Sequence, residues 1–162
     1  METTKSRSKR PSVPILLSLT NPDAAEWEMQ QVRRAIAERA HELFLLRGSE
    51  HGQDWEDWFH AESEMLRPVS VALSESQLRI SVRANVLGFN QYELRLCVEP
   101  HRLIILGQRE HGTPSDIPDQ IMRIVDLPAE VLPEAATVEL QEGFLKFELP
   151  KATQAVSAAA GQ

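Results

Sequence analysis

The chain has few of the residues on which disulfide scaffolds, membrane spans and nucleic-acid surfaces depend. Its 162 residues include one cysteine, Cys97, which cannot form an internal disulfide and indicates a reducing compartment, so we expect a cytoplasmic protein. No apolar run approaches the roughly 20 residues that a membrane-spanning helix requires. The 24 acidic side chains outnumber the 17 basic ones, which disfavours nucleic acid as a partner because that binding depends on Lys and Arg neutralising phosphates.

The amino-acid composition suits one ordinary globular domain with a small additional unit. The apolar fraction is 42% and the charged fraction 25%, enough for a core and a solvated surface. The net charge of -7 is unevenly distributed: residues 1–20 carry a positive charge, residues 21–67 carry eleven acids against five arginines, and residues 68–162 are mixed. This distribution predicts a flexible arm at 1–20, a second unit at 21–67 and a third at 68–151, followed by a disordered tail at 152–162.

The arm contains a short apolar segment with Ile15, Leu16, Leu17 and Leu19. Basic residues precede it, as in a secretory signal peptide. However, Pro14 interrupts the segment and Asn21-Pro22-Asp23 follows it instead of a cleavage site. We therefore interpret the segment as an apolar patch on the arm.

The acidic middle unit has the pattern of two helices. Asn21 and Pro22 are typical of a helix start, and Gly48 of a helix end. Apolar residues recur between them at helical spacing. A second helix is expected to begin with Asp54 as its cap, to bury Trp55, Trp58 and Phe59, and to end before Pro68. The middle unit is therefore predicted to be an αα-hairpin.

In the third unit, apolar residues recur at every second position instead of at helical spacing. Leu78, Ile80, Val82, Ala84 and Val86 alternate with polar residues, and further short apolar segments follow, separated by turn residues. The segments lie at 78–86, 92–98, 102–107, 121–127, 137–140 and 144–149. They predict an antiparallel immunoglobulin-like β-sandwich, so the expected fold class is α+β with an N-terminal αα-hairpin.

Three motifs in this unit resemble the α-crystallin domain of small heat-shock proteins, over about residues 69–151. Residues 84–89 are similar to the family's A-x-x-P-G-F turn, with Leu87 in place of proline. Residues 123–128 place Arg123 before a Leu-Pro pair, and residues 142–151 are similar to the family's G-V-L-x-x-x-x-P-K signature. The helical unit separately resembles, over about 30–66, a short bacterial family of unknown function.

The resemblance implies an ATP-independent holdase chaperone of the stress response, which is not an enzyme. Its partners would be unfolded or partly folded proteins, bound in a groove lined by Leu94, Leu96, Val138 and Leu140. Family arms often contact clients, which makes Ile15, Leu16, Leu17 and Leu19 a second client patch. Arg123 is expected at a dimer interface. Residues 108–120 are short for the family's exchanged loop and the C-terminal Ile-x-Ile motif is absent, so we expect a homodimer or small homo-oligomer.

No catalytic or metal site is predicted. Of the five histidines, His41, His51 and His60 lie in the hairpin, but zinc needs three or four converging ligands and the thiol of Cys97 is in another unit. We expect no cofactor. Cys97 falls in the polar phase of its strand and is expected to be half-exposed. The alternative to a holdase is an adaptor that uses the sandwich to bind one dedicated folded partner. Separately, the cluster of Trp55, Trp58 and Phe59 is a candidate partner surface, although its helical spacing favours burial against the first helix.

Overall fold

The described residues form two helices and eight strands, in an order that follows the change of period in the sequence. The computed structural model describes residues 13–49, 51–109 and 118–152. The predicted tail beyond Ala152 and the basic part of the arm lie outside them. The helices are α1 (Pro22–Leu46) and α2 (Asp54–Met65). The strands are β1 (Ile15–Leu16), β2 (Val71–Glu75), β3 (Arg79–Asn85), β4 (Leu94–Val98), β5 (Arg102–Gln108), β6 (Gln120–Asp126), β7 (Thr137–Gln141) and β8 (Phe144–Pro150).

The strands form two antiparallel sheets. The larger sheet has the order β1-β7-β8-β3-β2, and the smaller sheet has the order β4-β5-β6. In the central strands of the larger sheet, the side chains that point toward the core are fully buried. They are paired between neighbouring strands, as Val82 of β3 is with Phe147 of β8. The predicted α+β class, an αα-hairpin followed by an antiparallel sandwich, is confirmed. The sequence pattern missed two strands, β1 and β2.

Both helix ends of α1 follow the sequence prediction. Asn21 caps the start, where its side-chain oxygen accepts a hydrogen bond from the Asp23 backbone N–H at 2.7 Å. Gly48 follows the last turn with φ of +90°, a conformation that glycine adopts without a steric penalty. The start of α2 differs from the prediction, because Gln53 occupies the cap position and Asp54 is already the first helical residue.

The first turns of α1 pack against the outer face of the smaller sheet and form a third layer. Ala25 and Met29 are buried there against Cys97, Ile104 and Leu106. The expected half-exposure of Cys97 is therefore wrong: its thiol is buried beneath α1, and this burial raises its pKa. Arg95 lies at one of the alternate positions of β4 that the sequence pattern predicts to be polar, and it forms an ion pair with Glu28 of α1 at 2.5 Å.

The rest of α1 packs against α2. Val32 and Ile36 of α1 form a buried cluster with Ala61 and Leu66. The hairpin is thus continuous with the sandwich, since one helix contacts both. Within the described ranges, no helix combines the length and the apolar character needed to cross a membrane.

Candidate functional site

The four residues proposed to line a groove lie on two strands, one in each sheet. Leu94 and Leu96 belong to β4 at the edge of the smaller sheet, and Val138 and Leu140 belong to β7 in the larger sheet. All four side chains are buried and belong to the core cluster between the sheets. The structure therefore places all four side chains in the core between the sheets, and their role in lining a groove stays a prediction.

Residues 13–20 of the arm cover this boundary. Ile15 and Leu16 pair with Leu140 and Glu139 of β7 in antiparallel register. The Leu17 N–H then donates to the Val138 carbonyl at 3.0 Å, and the Thr20 N–H donates to the Leu96 carbonyl at 2.5 Å. The same short segment is thus bonded to both sheets, so β4 and β7 lie close together beneath it.

The arm side chains alternate between the core and solvent. Leu17 and Leu19 are half-buried and pack against the core cluster that contains the four groove residues. Ile15 is 42% exposed and Leu16 is 70% exposed. The two regions that the sequence suggested as separate client surfaces are therefore in contact.

Two open cavities lie beside residues 13–18 of the arm. One, of about 350 Å³, is lined by Leu16, Leu17, Tyr92, Leu94 and Leu96 among others. The other, of about 390 Å³, has a lining that includes Val13, Ile15, Phe89, Tyr92 and Leu140. Tyr92 is exposed and borders both cavities. Sequence reasoning placed Tyr92 within a strand and missed this position, because Gln91–Glu93 forms a 3-10 turn capped by Asn90.

Arg123 lies on β6, at the opposite edge of the smaller sheet from β4. It is opposite Ile105 of β5, and its side chain is exposed. Its guanidinium forms no ion pair with a residue in the described parts of the chain. The outer side of β6 is a sheet edge, where backbone groups are available for pairing. The role of Arg123 in a dimer stays a prediction.

The aromatic cluster of α2 is divided between two helix faces. Trp55 is 74% exposed and Phe59 is 59% exposed, and their rings stack at 6.0 Å between centroids. The prediction that α2 buries both is wrong, because α2 packs only through the face that carries Asp57, Trp58 and Ala61. Residues four apart share a helix face, so one face holds Trp55 and Phe59 while another holds Asp57 and Ala61.

Asp57 is the one charged residue on the buried face of α2. Both of its carboxylate oxygens accept hydrogen bonds from the Arg47 guanidinium. The shortest distance from a guanidinium nitrogen is 3.0 Å to Oδ1 and 2.7 Å to Oδ2. This paired geometry satisfies the carboxylate and lowers the pKa of Asp57 below its ordinary value. The pair fixes the end of α1 to the start of α2, which is a structural role.

The histidines of the hairpin are separated. His41 and His51 both contact the Phe44 ring, at centroid distances of 6.0 and 5.4 Å. His60 instead lies 3.0 Å from a Glu64 carboxylate oxygen. Among residues 13–49, 51–109 and 118–152, no three His, Cys, Asp or Glu side chains are grouped so that they could hold a metal ion.

Known proteins match parts of this chain. Residues 31–66 match a family described as a protein of unknown function (DUF2934). No curated protein matches the sequence. Among solved structures, the chain is similar to a mutant of hsp14.1 from Sulfolobus solfataricus P2, with 21% identity, 58% of this chain and 82% of that chain covered, and a TM-score of 0.47.

Two further solved structures are of the same class. Heat shock protein 16.0 from Schizosaccharomyces pombe has 19% identity, with 52% of this chain and 86% of that chain covered and a TM-score of 0.44. The hspA of Xanthomonas axonopodis has 17% identity, with 52% and 93% covered and a TM-score of 0.44.

Proposed function

We propose that the chain is an ATP-independent holdase that binds partly unfolded proteins and prevents their aggregation. The observation that carries this proposal is the pairing of an extended apolar segment, within residues 13–20, with β7, together with one backbone hydrogen bond from the same segment to β4. A sheet edge that accepts an extended apolar segment of this chain has the chemistry to accept one from an unfolded client. No catalytic group is needed for this work.

The physical basis is strand addition combined with solubility. Unfolded proteins expose apolar side chains and unpaired backbone groups. In this proposal a client pairs as β1 does with β7, and the edge strand β4 provides further backbone groups. The net charge of -7 keeps such a complex in solution by repulsion between like-charged particles. In this proposal Leu94, Leu96, Val138 and Leu140 bind clients, and Ile15, Leu16, Leu17 and Leu19 contribute a second apolar surface.

Light scattering from two unrelated heat-labile proteins, without nucleotide, tests the function. We expect the full chain to suppress aggregation of both at near-stoichiometric amounts. A chain lacking residues 1–12 is the control, because it keeps the segment that pairs with β7. Suppression that survives deletion of residues 1–20 would assign client binding to the groove, and its loss would assign it to the arm. Failure to suppress either protein would contradict the holdase proposal.

A second candidate function is an adaptor with one dedicated partner. The exposed, stacked Trp55 and Phe59 favour it, because aromatic side chains dominate the binding energy of specific interfaces. The two functions differ in the effect of the double variant Trp55→Ala with Phe59→Ala. An adaptor would lose its partner, whereas a holdase that uses the groove would suppress aggregation as well as the unaltered chain.

A further inference from the structure

The exposed face of α2 carries an aromatic pair that the fold holds toward solvent. Trp55 and Phe59 are four residues apart, and their rings are stacked with 6.0 Å between centroids and 27° between planes. Another face of α2 is fixed in place, because Ala61 is buried against α1 and the Asp57 carboxylate is paired with the Arg47 guanidinium. A rotation of α2 that buried the aromatic pair would break these contacts. The pair is therefore presented to solvent in one arrangement.

The acidic side chains that border this pair have no partner of opposite charge in the described parts of the chain. Glu56 and Glu62 lie three residues before and three residues after Phe59, so both are its neighbours on the helix surface. Neither forms an ion pair with another described residue. By contrast, Glu64 on another face of α2 is paired with Arg39 of α1 at 2.9 Å. The aromatic pair is thus flanked by negative charge that the described chain leaves unneutralised.

The chemistry of this face restricts what can bind to it. Along a helix the backbone N–H and C=O groups are bonded internally, so α2 offers a partner only side chains. An extended segment would leave its own backbone groups unpaired there, whereas a helix satisfies its own. Apolar side chains on one stripe of such a helix would pack on Trp55 and Phe59, and Lys or Arg beside the stripe would face Glu56 and Glu62. A cation there can also lie over the indole ring.

We propose that the face of α2 with Trp55 and Phe59 is a docking site for a basic amphipathic helix of another protein. This inference rests on the adaptor function and deepens it by naming the chemistry of the partner. A second copy of the hairpin does not fit, because it presents the same acids and residues 21–67 hold eleven acids against five arginines. An anionic membrane surface is repelled for the same reason.

Fluorescence anisotropy with a labelled designed peptide tests the site on the full chain. The probe is a short peptide of leucine and lysine in which the leucines recur at helical spacing and form one face. Two control peptides carry glutamine or glutamate in place of every lysine. We expect the lysine probe to bind more tightly than either control peptide, and to bind more weakly as the salt concentration is raised.

An aromatic double variant locates the binding of the probe. Trp55→Ala with Phe59→Ala should weaken it at least about tenfold, because buried aromatic side chains dominate the binding energy of such interfaces. The matched control is Trp27→Ala, which removes another exposed tryptophan, from α1, and should leave the affinity unchanged.

A charge double variant tests the flanking acids. Glu56→Gln with Glu62→Gln should weaken binding of the lysine probe by roughly two- to tenfold at low salt and should leave binding of the glutamine peptide unchanged. The matched control, Glu38→Gln with Glu134→Gln, removes the same charge from exposed positions outside α2 and should have a smaller effect.

The outcomes separate this inference from the adaptor function on which it rests. Preferred binding of the lysine probe that is lost on the aromatic substitution supports both. Equal binding of the lysine and glutamine peptides, also lost on that substitution, would overturn the basic partner while the adaptor surface stands. Probe binding that the aromatic substitution leaves unchanged would overturn the docking site, as would a fall in the mass of the unaltered protein caused by that substitution, since a second copy would then occupy the face.

Discussion

At the scale of single residues, Gly107 shows how tightly the sandwich is filled near the groove. A Cβ atom at this position of β5 would lie 2.9 Å from Ile121 Cγ1 and 3.1 Å from Leu94 Cδ2. Such contacts are closer than ordinary van der Waals packing allows. Since Leu94 is one of the groove residues, its position depends on the absence of a side chain at Gly107.

We expect Gly107→Ala to destabilise the protein by about 1–3 kcal/mol, because the added methyl group forces neighbouring side chains apart. Urea denaturation followed by circular dichroism measures the change. Ser74→Ala on the exposed strand β2 is the control and should leave stability nearly unchanged. An unaltered midpoint for Gly107→Ala would show that Leu94 and Ile121 move aside without cost.

The Arg47–Asp57 ion pair makes the folding stability of the chain depend on pH. Hydrogen bonds from Arg47 lower the pKa of Asp57 in the folded chain below its unfolded value of about 4. The resulting stabilisation is complete above the unfolded pKa and is lost as the pH falls through the folded pKa. We expect Asp57→Asn to be less stable than the unaltered chain at pH 7, with a smaller difference at pH 3. Denaturant midpoints at the two pH values check this, and a constant difference would contradict it.

At the scale of elements, α1 joins the two units of the chain. Its first turns cover the outer face of the smaller sheet, and its later turns pack against α2. This cover explains β5, in which Leu103, Ile104, Ile105 and Leu106 are all buried. A strand that is buried on both faces has a continuous apolar sequence instead of an alternating one.

The contact between α1 and the smaller sheet depends on Met29, which is fully buried. We expect Met29→Ala to cost about 2–5 kcal/mol, because it leaves a cavity between the helix and the sheet. The matched control is Gln30→Ala, one residue further along the same helix and exposed. Thermal unfolding compares the two, and equal melting temperatures would contradict the packing described here.

The two tryptophans of α2 are expected to differ in their effect on stability. Trp58 packs against the cluster of Val32 and Ile36, so Trp58→Ala should destabilise the chain by roughly 1–3 kcal/mol. Trp55 is largely exposed, and Trp55→Ala should change stability by no more than about 0.5 kcal/mol. Chemical denaturation of the two variants checks the difference. Equal losses would mean that Trp55 is buried in an assembly.

At the scale of the whole molecule, the free edges of the two sheets determine how copies can associate. The arm covers β7 beside β4, whereas β6 and β2 are the outer strands on the other side of their sheets. Edge strands invite pairing with another chain unless they are covered or charged. Arg123 on β6 places a cation at one such edge.

We expect Arg123→Ala to weaken self-association. In the unaltered chain the Arg123 guanidinium is expected to pair with a carboxylate of a second copy, and the variant lacks this ion pair. Light scattering coupled to gel filtration should show a lower mass at equal concentration. Arg33→Ala on the exposed face of α1 is the control and should leave the mass unchanged. An unchanged mass and melting temperature for Arg123→Ala would remove this residue from the interface.

The sequence by itself determined the local elements and the fold class. Periods of 3.6 and 2 identified both helices and six strands, and the Asn21 and Gly48 signals located the ends of α1, because these patterns express local backbone preferences. The strand β1 was missed because two residues form no recognisable alternation. For the site, the sequence provided the candidate residues on β4, on β7 and in the arm.

Only the tertiary structure decided which faces are covered. The burial of Cys97 depends on α1 lying over the smaller sheet, and the exposure of Trp55 and Phe59 depends on α2 packing through one face. The contact of residues 13–20 with both sheets depends on β4 and β7 lying within reach of the same short segment. Amphipathic patterns show that a face is apolar, but the choice among possible apolar partners arises from contacts between residues far apart in the chain.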